Sequence, residues 1–337
     1  MRVLVTGTNA PQVGSERVPL KYATGCKALV DTLRLAGHEV DQRGVYPGEQ
    51  KLYEYDTVIC YLAPMNALTA QWAFGALWLL SQRPDAIVAL DDWQTHQILS
   101  GARTQHRDTG RLYREVFNRK GRGLLDANIR KAMEGALAQL ASQPWPWRLL
   151  APIFPHGDVS KLGLEAASYH GFDPSPYWRG FYNSGATRLT PEYRLKNWVS
   201  ASLLNKQPWL DKLNITWAVE KLGNKKQGQF RIKEHEVFQA YCNSWGVLSA
   251  PHRHAGSGWW RARYVFAADA RAVLYGDPRE VEAFGPAYTA HTLAEIEAMS
   301  AHELDYLGRL QAASLTNHCT WTTDQLREAL DTLVTVG

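Results

Sequence analysis

Three stretches of the chain combine residue types and spacings that can do chemistry. The first is Asp91-Asp92, which directly follows the aliphatic run Ile87 to Leu90. A carboxylate at the carboxyl end of a buried strand can deprotonate an attacking hydroxyl when an electrophile is held opposite it. The same pair also reads as a helix N-cap or turn, whose oxygens accept backbone N–H bonds. Paired acids hold Mg²⁺ in some proteins, but no further acidic cluster lies nearby to complete such a site.

The second stretch is Asn183 to Arg194. Asn183-Ser184-Gly185-Ala186-Thr187-Arg188 is a loop of small residues. It leads into a segment from about Pro191 to Leu203 that reads as a helix, with Pro191 in the first turn and Glu192 beside it. Backbone N–H groups at such a helix start can bind a phosphate, and arginines can add bidentate hydrogen bonds. Ser184, Gly185, Arg188 and Arg194 are therefore candidate pyrophosphate ligands. Glycine-containing strand–helix turns also occur in α/β proteins that bind no phosphate.

The third stretch is Gly256-Ser257-Gly258-Trp259-Trp260-Arg261-Ala262-Arg263-Tyr264, preceded by His252 and His254. Gly256 and Gly258 flank a loop that opens a helix expected over Trp259 to Ala268, and a helix start of this kind suits a nucleotide's phosphates. Arg261 and Arg263 lie two apart and cannot both point the same way on a helix; Arg263 is the candidate. The two histidines have no evident third metal ligand and read equally well as loop residues facing solvent.

These residues need elements to position them. Arg2 to Thr6 is a strand, Tyr22 to Ala36 a helix with Cys26, Leu29, Val30 and Leu33 on one stripe, and His38 to Asp41 the next strand. Such a start is of the nucleotide-binding type. It lacks G-x-G-x-x-G, which counts against a nicotinamide dehydrogenase. Thr57 to Leu62, Ile87 to Leu90 and Trp147 to Ile153 read as further strands, with helices over Thr69 to Leu80 and Asn128 to Leu140. The proline-rich Gly171 to Trp178 suits a junction. Beyond it the alternation resumes: strands at Arg179 to Tyr182, Asn214 to Val219, Val247 to Ser249 and Ala272 to Tyr275, and helices at Glu234 to Asn243, Ser300 to Leu315 and Thr323 to Val334.

A chain of 337 residues exceeds the size at which one core stops growing, so two domains of roughly 150 residues are expected. The alternation predicts two doubly wound α/β domains facing each other across a cleft: residues 1–170, a linker at 171–178, and residues 179–318, followed by a C-terminal helix at 319–337. The sequence holds 13 Trp and 15 Tyr, residues that either fill cores or line a sugar or base site. Cys26, Cys60, Cys242 and Cys319 are scattered, which suits free thiols in a reducing cytoplasm and builds no zinc site. MRVLVTG reads as a strand rather than a leader, and the apolar Ala67 to Leu80 is too short for a membrane span. A net charge of +4 permits a polyanionic partner without requiring one. The H-x-E and P-C-x-x-C pattern of zinc deaminases is absent.

With these residues in view, the chain resembles the GT-B class of glycosyltransferases, and within it the phage enzymes that glucosylate hydroxymethylcytosine in DNA. The likeness lies in layout over most of the length. Ile87 to Asp92 is similar to the strand carrying that family's catalytic aspartate, with Asp92 in its place. Tyr182 to Arg188 is similar to the phosphate loop, and Ala262 to Leu274 to the arginine-bearing helix and following strand; the last two helices, with Trp321 between them, match the family's ending. The resemblance implies a first domain that binds the acceptor, a second that binds a nucleoside diphosphate sugar (a UDP-sugar), and a final helix returning to the first. It further implies inversion with Asp92 as general base, a hydroxymethylated pyrimidine in double-stranded DNA as acceptor, and the cytoplasm of an infected bacterium as location. Mg²⁺ could assist diphosphate departure without a dedicated protein site, and no metal-ligand set is expected.

One position departs from that pattern. The family places a glutamate for the donor ribose where this chain has Phe266, and Asp269 is the nearest acid in sequence. Either Asp269 takes that role or the donor is held differently. Arg103, His106, Arg107, Arg111, Arg114, Arg119, Lys120 and Arg122 follow Asp92 and would suit DNA phosphates; they read equally as a solvated surface. A GT-B enzyme with a small-molecule or cell-envelope acceptor, and a non-catalytic nucleotide-sugar or nucleic-acid binding module, remain the alternatives.

Overall fold

The computed structural model describes residues 1–7, 29–43 (except 32), 50–62, 83–90 (except 84), 148–158 (except 152), 168–171, 189–200, 207–222, 234–251 and 256–332 (except 261, 323, 326, 329 and 330). It divides into two compact units. The first comprises Met1–Pro152, Gly163–Pro174 and Thr322–Gly337; the second comprises Ile153–Leu162 and Ser175–Trp321.

The first unit is built on six parallel strands, β1 (Arg2–Gly7), β2 (Glu39–Arg43), β3 (Thr57–Leu62), β4 (Ile87–Leu90), β5 (Arg148–Ala151) and β6 (Ser168–Gly171), in the order β2-β1-β3-β4-β5-β6. Parallel strands covered on both faces read as unbroken apolar runs, and residues 57–61 and 86–89 are all buried. Leu29, Val30 and Leu33 of the helical segment at 29–35 pack against Val3, Val5, Ile59, Tyr61, Ile87 and Ala89. Gly37 ends that helix at φ 92°: its N–H donates to the Arg34 carbonyl at 3.0 Å and that of His38 to Leu33 at 3.2 Å. This double bond satisfies two terminal carbonyls and needs a residue that tolerates positive φ.

The end of the chain returns to this unit. His38 Nε2 lies 3.0 Å from Asp331 Oδ1, and Arg327 Nη2 donates to the Leu35 carbonyl at 3.4 Å.

The second unit holds four parallel strands, β7 (Leu195–Ser200), β8 (Ala218–Lys221), β9 (Ser244–Ser249) and β10 (Val273–Gly276), in the order β10-β9-β7-β8. Counted from its own first strand, each sheet is wound 2-1-3-4, so each has a switch point beside that strand. Ligands of open α/β sheets collect at the carboxyl ends of strands near such a point. The helices of this unit are α1 (Gln207–Leu210), α2 (Glu234–Asn243), α3 (Ala262–Ala270), α4 (Pro278–Val281), α5 (Leu293–Ala298) and α6 (Ala301–Cys319). Thr292 with Glu295, and Ser300 with Glu303, form capping boxes that fix the starts of α5 and α6.

Among the described residues, several tryptophans are core. Trp198, Trp245 and Trp260 are fully buried, and Trp260 stands edge-on to Phe154 at 4.6 Å between ring centroids. Glu297 ties α5 to the sheet. Its carboxylate accepts from Trp198 Nε1 at 2.7 Å, from the Thr216 hydroxyl at 2.6 Å and from the Trp217 N–H at 3.0 Å.

Several sequence expectations are revised. The helix expected from Pro191 is one 3-10 turn, Pro191–Tyr193, followed by β7. Proline and glutamate start that turn, but Trp198 and Val199 favour a buried strand, and burial of residues 197–200 decides it. The helix expected from Trp259 begins at Ala262, because Trp259 instead forms an antiparallel bridge with Ile153. β6 was not foreseen, since Ser-Tyr-His-Gly carries no aliphatic pattern. The expected helices at Thr69 to Leu80 and Asn128 to Leu140, and the strand at Arg179 to Tyr182, lie outside the described residues.

Cys60, Cys242 and Cys319 are buried and in no disulfide, and burial pushes Cys60 up to about 12, so it is no thiolate at neutral pH. Among the described residues, no helix is long and apolar enough to cross a membrane.

Candidate nucleotide site

In the second unit all four strands point the same way, so one edge of the sheet gathers their carboxyl ends. The helix leading into β10 runs back against the strands and brings its N-terminus to that edge. Arg263 is the second residue of α3 and therefore sits there. The segment leaving β10 stays at the same edge: Asp277 caps α4 by accepting the Arg279 N–H at 3.0 Å, with Pro278 in the first turn. Side-chain hydrogen bonding from Arg279 holds the Asp277 carboxyl below its usual range.

α4 delivers Glu280. Its Oε1 accepts from Arg263 Nη2 at 3.4 Å, and both side chains are largely buried, at 6% and 14% exposure. Gly276 permits the close approach, since a Cβ there would come within 2.8 Å of Val281 Cγ1 and 3.2 Å of the Ser249 carbonyl oxygen.

Buried polar atoms with no hydrogen-bond partner among the described residues include Ser249 Oγ at the end of β9, Ser257 Oγ and Trp260 Nε1 in the loop before α3, Arg263 Nε, and Tyr241 Oη in α2. Burial pushes the Tyr241 hydroxyl up to about 12, with the Arg263 charge pulling against it. Native interiors pair nearly all such groups, so these atoms are donors and acceptors available to a polar partner.

The loop before α3 is held tightly. Gly256 and Gly258 have φ of 85° and 76°. The Phe154 N–H donates to the Gly258 carbonyl at 2.8 Å. A Cβ on Gly258 would fall 2.7 Å from Gly157 Cα, and one on Gly157 would fall 2.6 Å from the Ser257 carbonyl oxygen. Trp321 Nε1 donates to the Ile153 carbonyl at 2.7 Å. Two backbones therefore touch where only glycine fits, which gives Gly258 a packing reason beside the phosphate reading, while Gly256 is set apart by its positive φ alone.

Two predicted ligands lie away from this edge. Arg194 precedes β7 and so lies at the opposite, amino edge of the sheet. Its Nη2 and Nη1 donate to the carbonyls of Ala270 and Arg271 at 2.8 and 3.0 Å, and Nε to Leu189 at 3.3 Å. Its guanidinium carbon also stands 5.0 Å from the Trp245 ring centroid. It caps the negative end of α3. Asp269 sits near that same end of α3, six residues and about 9 Å of helix rise from Arg263. Phe266 is core, packed against Phe238 at 5.8 Å.

Of the other predicted residues, Arg263, Gly256 and Gly258 are brought to the carboxyl edge. Asp92, Ser184, Gly185 and Arg188 lie outside the described residues, as do His252, His254 and the basic residues from Arg103 to Arg122. Asp92 follows the end of β4 at Leu90 by two residues in sequence. Glu280 was missed, although an acid just beyond an aliphatic strand is the signal that singled out Asp92. Among the described residues, no group of three or more His, Cys, Asp or Glu is placed to hold a metal ion.

Two doubly wound parallel α/β units, with the chain's end returning to the first, define the GT-B fold class. In three dimensions the chain is similar to T4 phage BGT, a beta-glucosyltransferase. Against that enzyme in complex with its UDP-glucose substrate, the TM-score is 0.56 at 9% identity, over 99% of each chain. Against BGT with UDP and Mn²⁺ it is 0.55 at 12% identity, again over 99% of each. A further structure, of the DNA-modifying enzyme beta-glucosyltransferase with and without uridine diphosphoglucose, gives 0.54 at 10%, over 99% of this chain and 100% of that one. At such identities the likeness establishes the fold. No protein-family model matches the chain, and no curated protein matches it in sequence.

Proposed function

We propose that the chain is a glycosyltransferase that moves a sugar from a UDP-sugar to the hydroxymethyl group of a modified pyrimidine in double-stranded DNA. The observation that carries this reading is the fold: its likeness covers the full length of an enzyme solved with UDP-glucose. The carboxyl edge of the second unit supports it, with a largely buried arginine keeping an unpartnered N–H beside further unpartnered polar atoms. Oxygen acceptors of a nucleoside diphosphate suit that donor set.

In the proposed reaction, the acceptor hydroxyl oxygen attacks the anomeric carbon as the bond from that carbon to the diphosphate breaks. Asp92 takes the hydroxyl proton, and Arg263 with the loop at Ser184, Gly185 and Arg188 stabilises the departing diphosphate. A single base and a direct displacement invert the anomeric carbon. The reaction as written uses no protein-bound metal; Mg²⁺ would assist only by accompanying the diphosphate. The basic residues between Arg103 and Arg122 would meet DNA phosphates, which makes binding salt-dependent.

The test is incubation with a panel of UDP-sugars and either hydroxymethylated or unmodified duplex. The reading expects transfer to the hydroxymethylated duplex only, with inverted configuration by product NMR. Transfer to a small acceptor but to neither duplex would overturn the DNA part alone. No transfer or hydrolysis with any UDP-sugar would overturn the whole.

A further inference from the structure

Arginine–carboxylate pairs in this chain differ in completeness. Arg83 with Asp85, and Arg279 with Asp277, form side-on forks in which Nε and Nη2 each donate to a carboxylate oxygen, at 2.9 and 2.7 Å and at 2.9 and 2.9 Å. Arg263 with Glu280 does not. Nη2 reaches Oε1 at 3.4 Å, while Nε on the same edge finds no partner among the described residues. Both partners of this unfinished fork are largely buried, where an unspent N–H is costly.

An uncompensated arginine would be costly to bury, and Glu280 supplies the counter-charge. Its contact with one N–H restrains the guanidinium and leaves Nε–H open. Tyr241 Oη, fully buried and also unpartnered, lies within electrostatic reach of the same guanidinium. That is a second group left waiting for a partner.

We infer that Glu280 is a positioning residue, which orients Arg263 so that its open Nε–H meets an anionic oxygen of the donor diphosphate. The inference rests on the donor reading above. Glu280 acts on the ligand only through Arg263, so its contribution disappears when Arg263 is removed.

The test is isothermal titration of the full chain with UDP, for the parent, E280A, E280Q, R263A and the E280A/R263A double variant, each checked by thermal unfolding. E280A should weaken UDP binding about tenfold, while E280Q, which keeps an oxygen acceptor at the same place, stays within about threefold of the parent. R263A should lose at least as much as E280A, and adding E280A to R263A should change affinity by less than about twofold. If E280A does not fold, E280D, whose carboxylate falls one methylene short, serves in the same cycle with the same expectation. Parental affinity in E280A, or an equal loss with and without Arg263, would overturn the inference while leaving the donor reading intact. A parent chain that binds no UDP would overturn both.

Discussion

Arg194 Nη2 donates to the carbonyl oxygen of Ala270 at 2.8 Å, across 76 residues of sequence. With the bond to Arg271, this cation closes the last turn of α3, the helix whose other end carries Arg263. The chain thus uses one arginine to complete the helix, and a second, Arg263, stands at its opposite end.

R194A should destabilise the protein by roughly 2–4 kcal/mol, because it strips charged donors from buried carbonyls. UDP affinity of the folded fraction should not change. Urea unfolding beside UDP titration checks this; normal stability with lost affinity would restore Arg194 as a phosphate ligand. D269A should likewise leave UDP affinity within about twofold, since it lies a helix length from Arg263.

Gly258 tests the packing of the loop before α3. G258A places a Cβ against Gly157 at a positive φ, and strain of this kind costs roughly 1–3 kcal/mol. A lowered melting temperature is expected. A G258A protein as stable as the parent but unable to bind UDP would instead make Gly258 a ligand-approach glycine.

Glu297 sets part of the acid sensitivity. Burial pushes its carboxyl up, but hydrogen bonds from Thr216, Trp217 and Trp198 outweigh that and hold it below its ordinary value of 4.5. Its stabilisation is therefore complete above about pH 4.5 and is lost as pH falls through the lower folded value. E297Q should be less stable than the parent by about 2 kcal/mol at neutral pH, with the gap narrowing as pH falls from about 4.5 through the lower folded value. Unfolding curves from pH 7 to 3 measure it; a gap independent of pH throughout would contradict the assignment.

How far the sequence could be read depended on whether the deciding contact was local. β1, β3 and β4 are aliphatic runs buried on both faces, so their order of residues declares them, and β4 sets Asp92 two residues beyond its end. The Pro191 segment misled because Pro191 and Glu192 are local helix signals, whereas the strand at Leu195–Ser200 is chosen by its neighbours β8 and β9. Arg194 looked like a phosphate ligand for the same reason: its carbonyl partners are distant in sequence. Glu280 is 17 residues from Arg263 and meets it only because β10 and the Gly276 turn fold it back.

Asp92 carries the central claim. The measurement is single-turnover transfer from UDP-glucose to a hydroxymethylated duplex by the parent and D92N, with UDP titration and thermal unfolding of both. Asparagine keeps the size but cannot accept the proton, so transfer should fall by roughly 10²–10⁴-fold with UDP affinity little changed. D91N should be milder, because adjacent residues at a strand end point to opposite sides. A folded D92N that binds UDP and transfers glucose at near the parental rate would contradict the account.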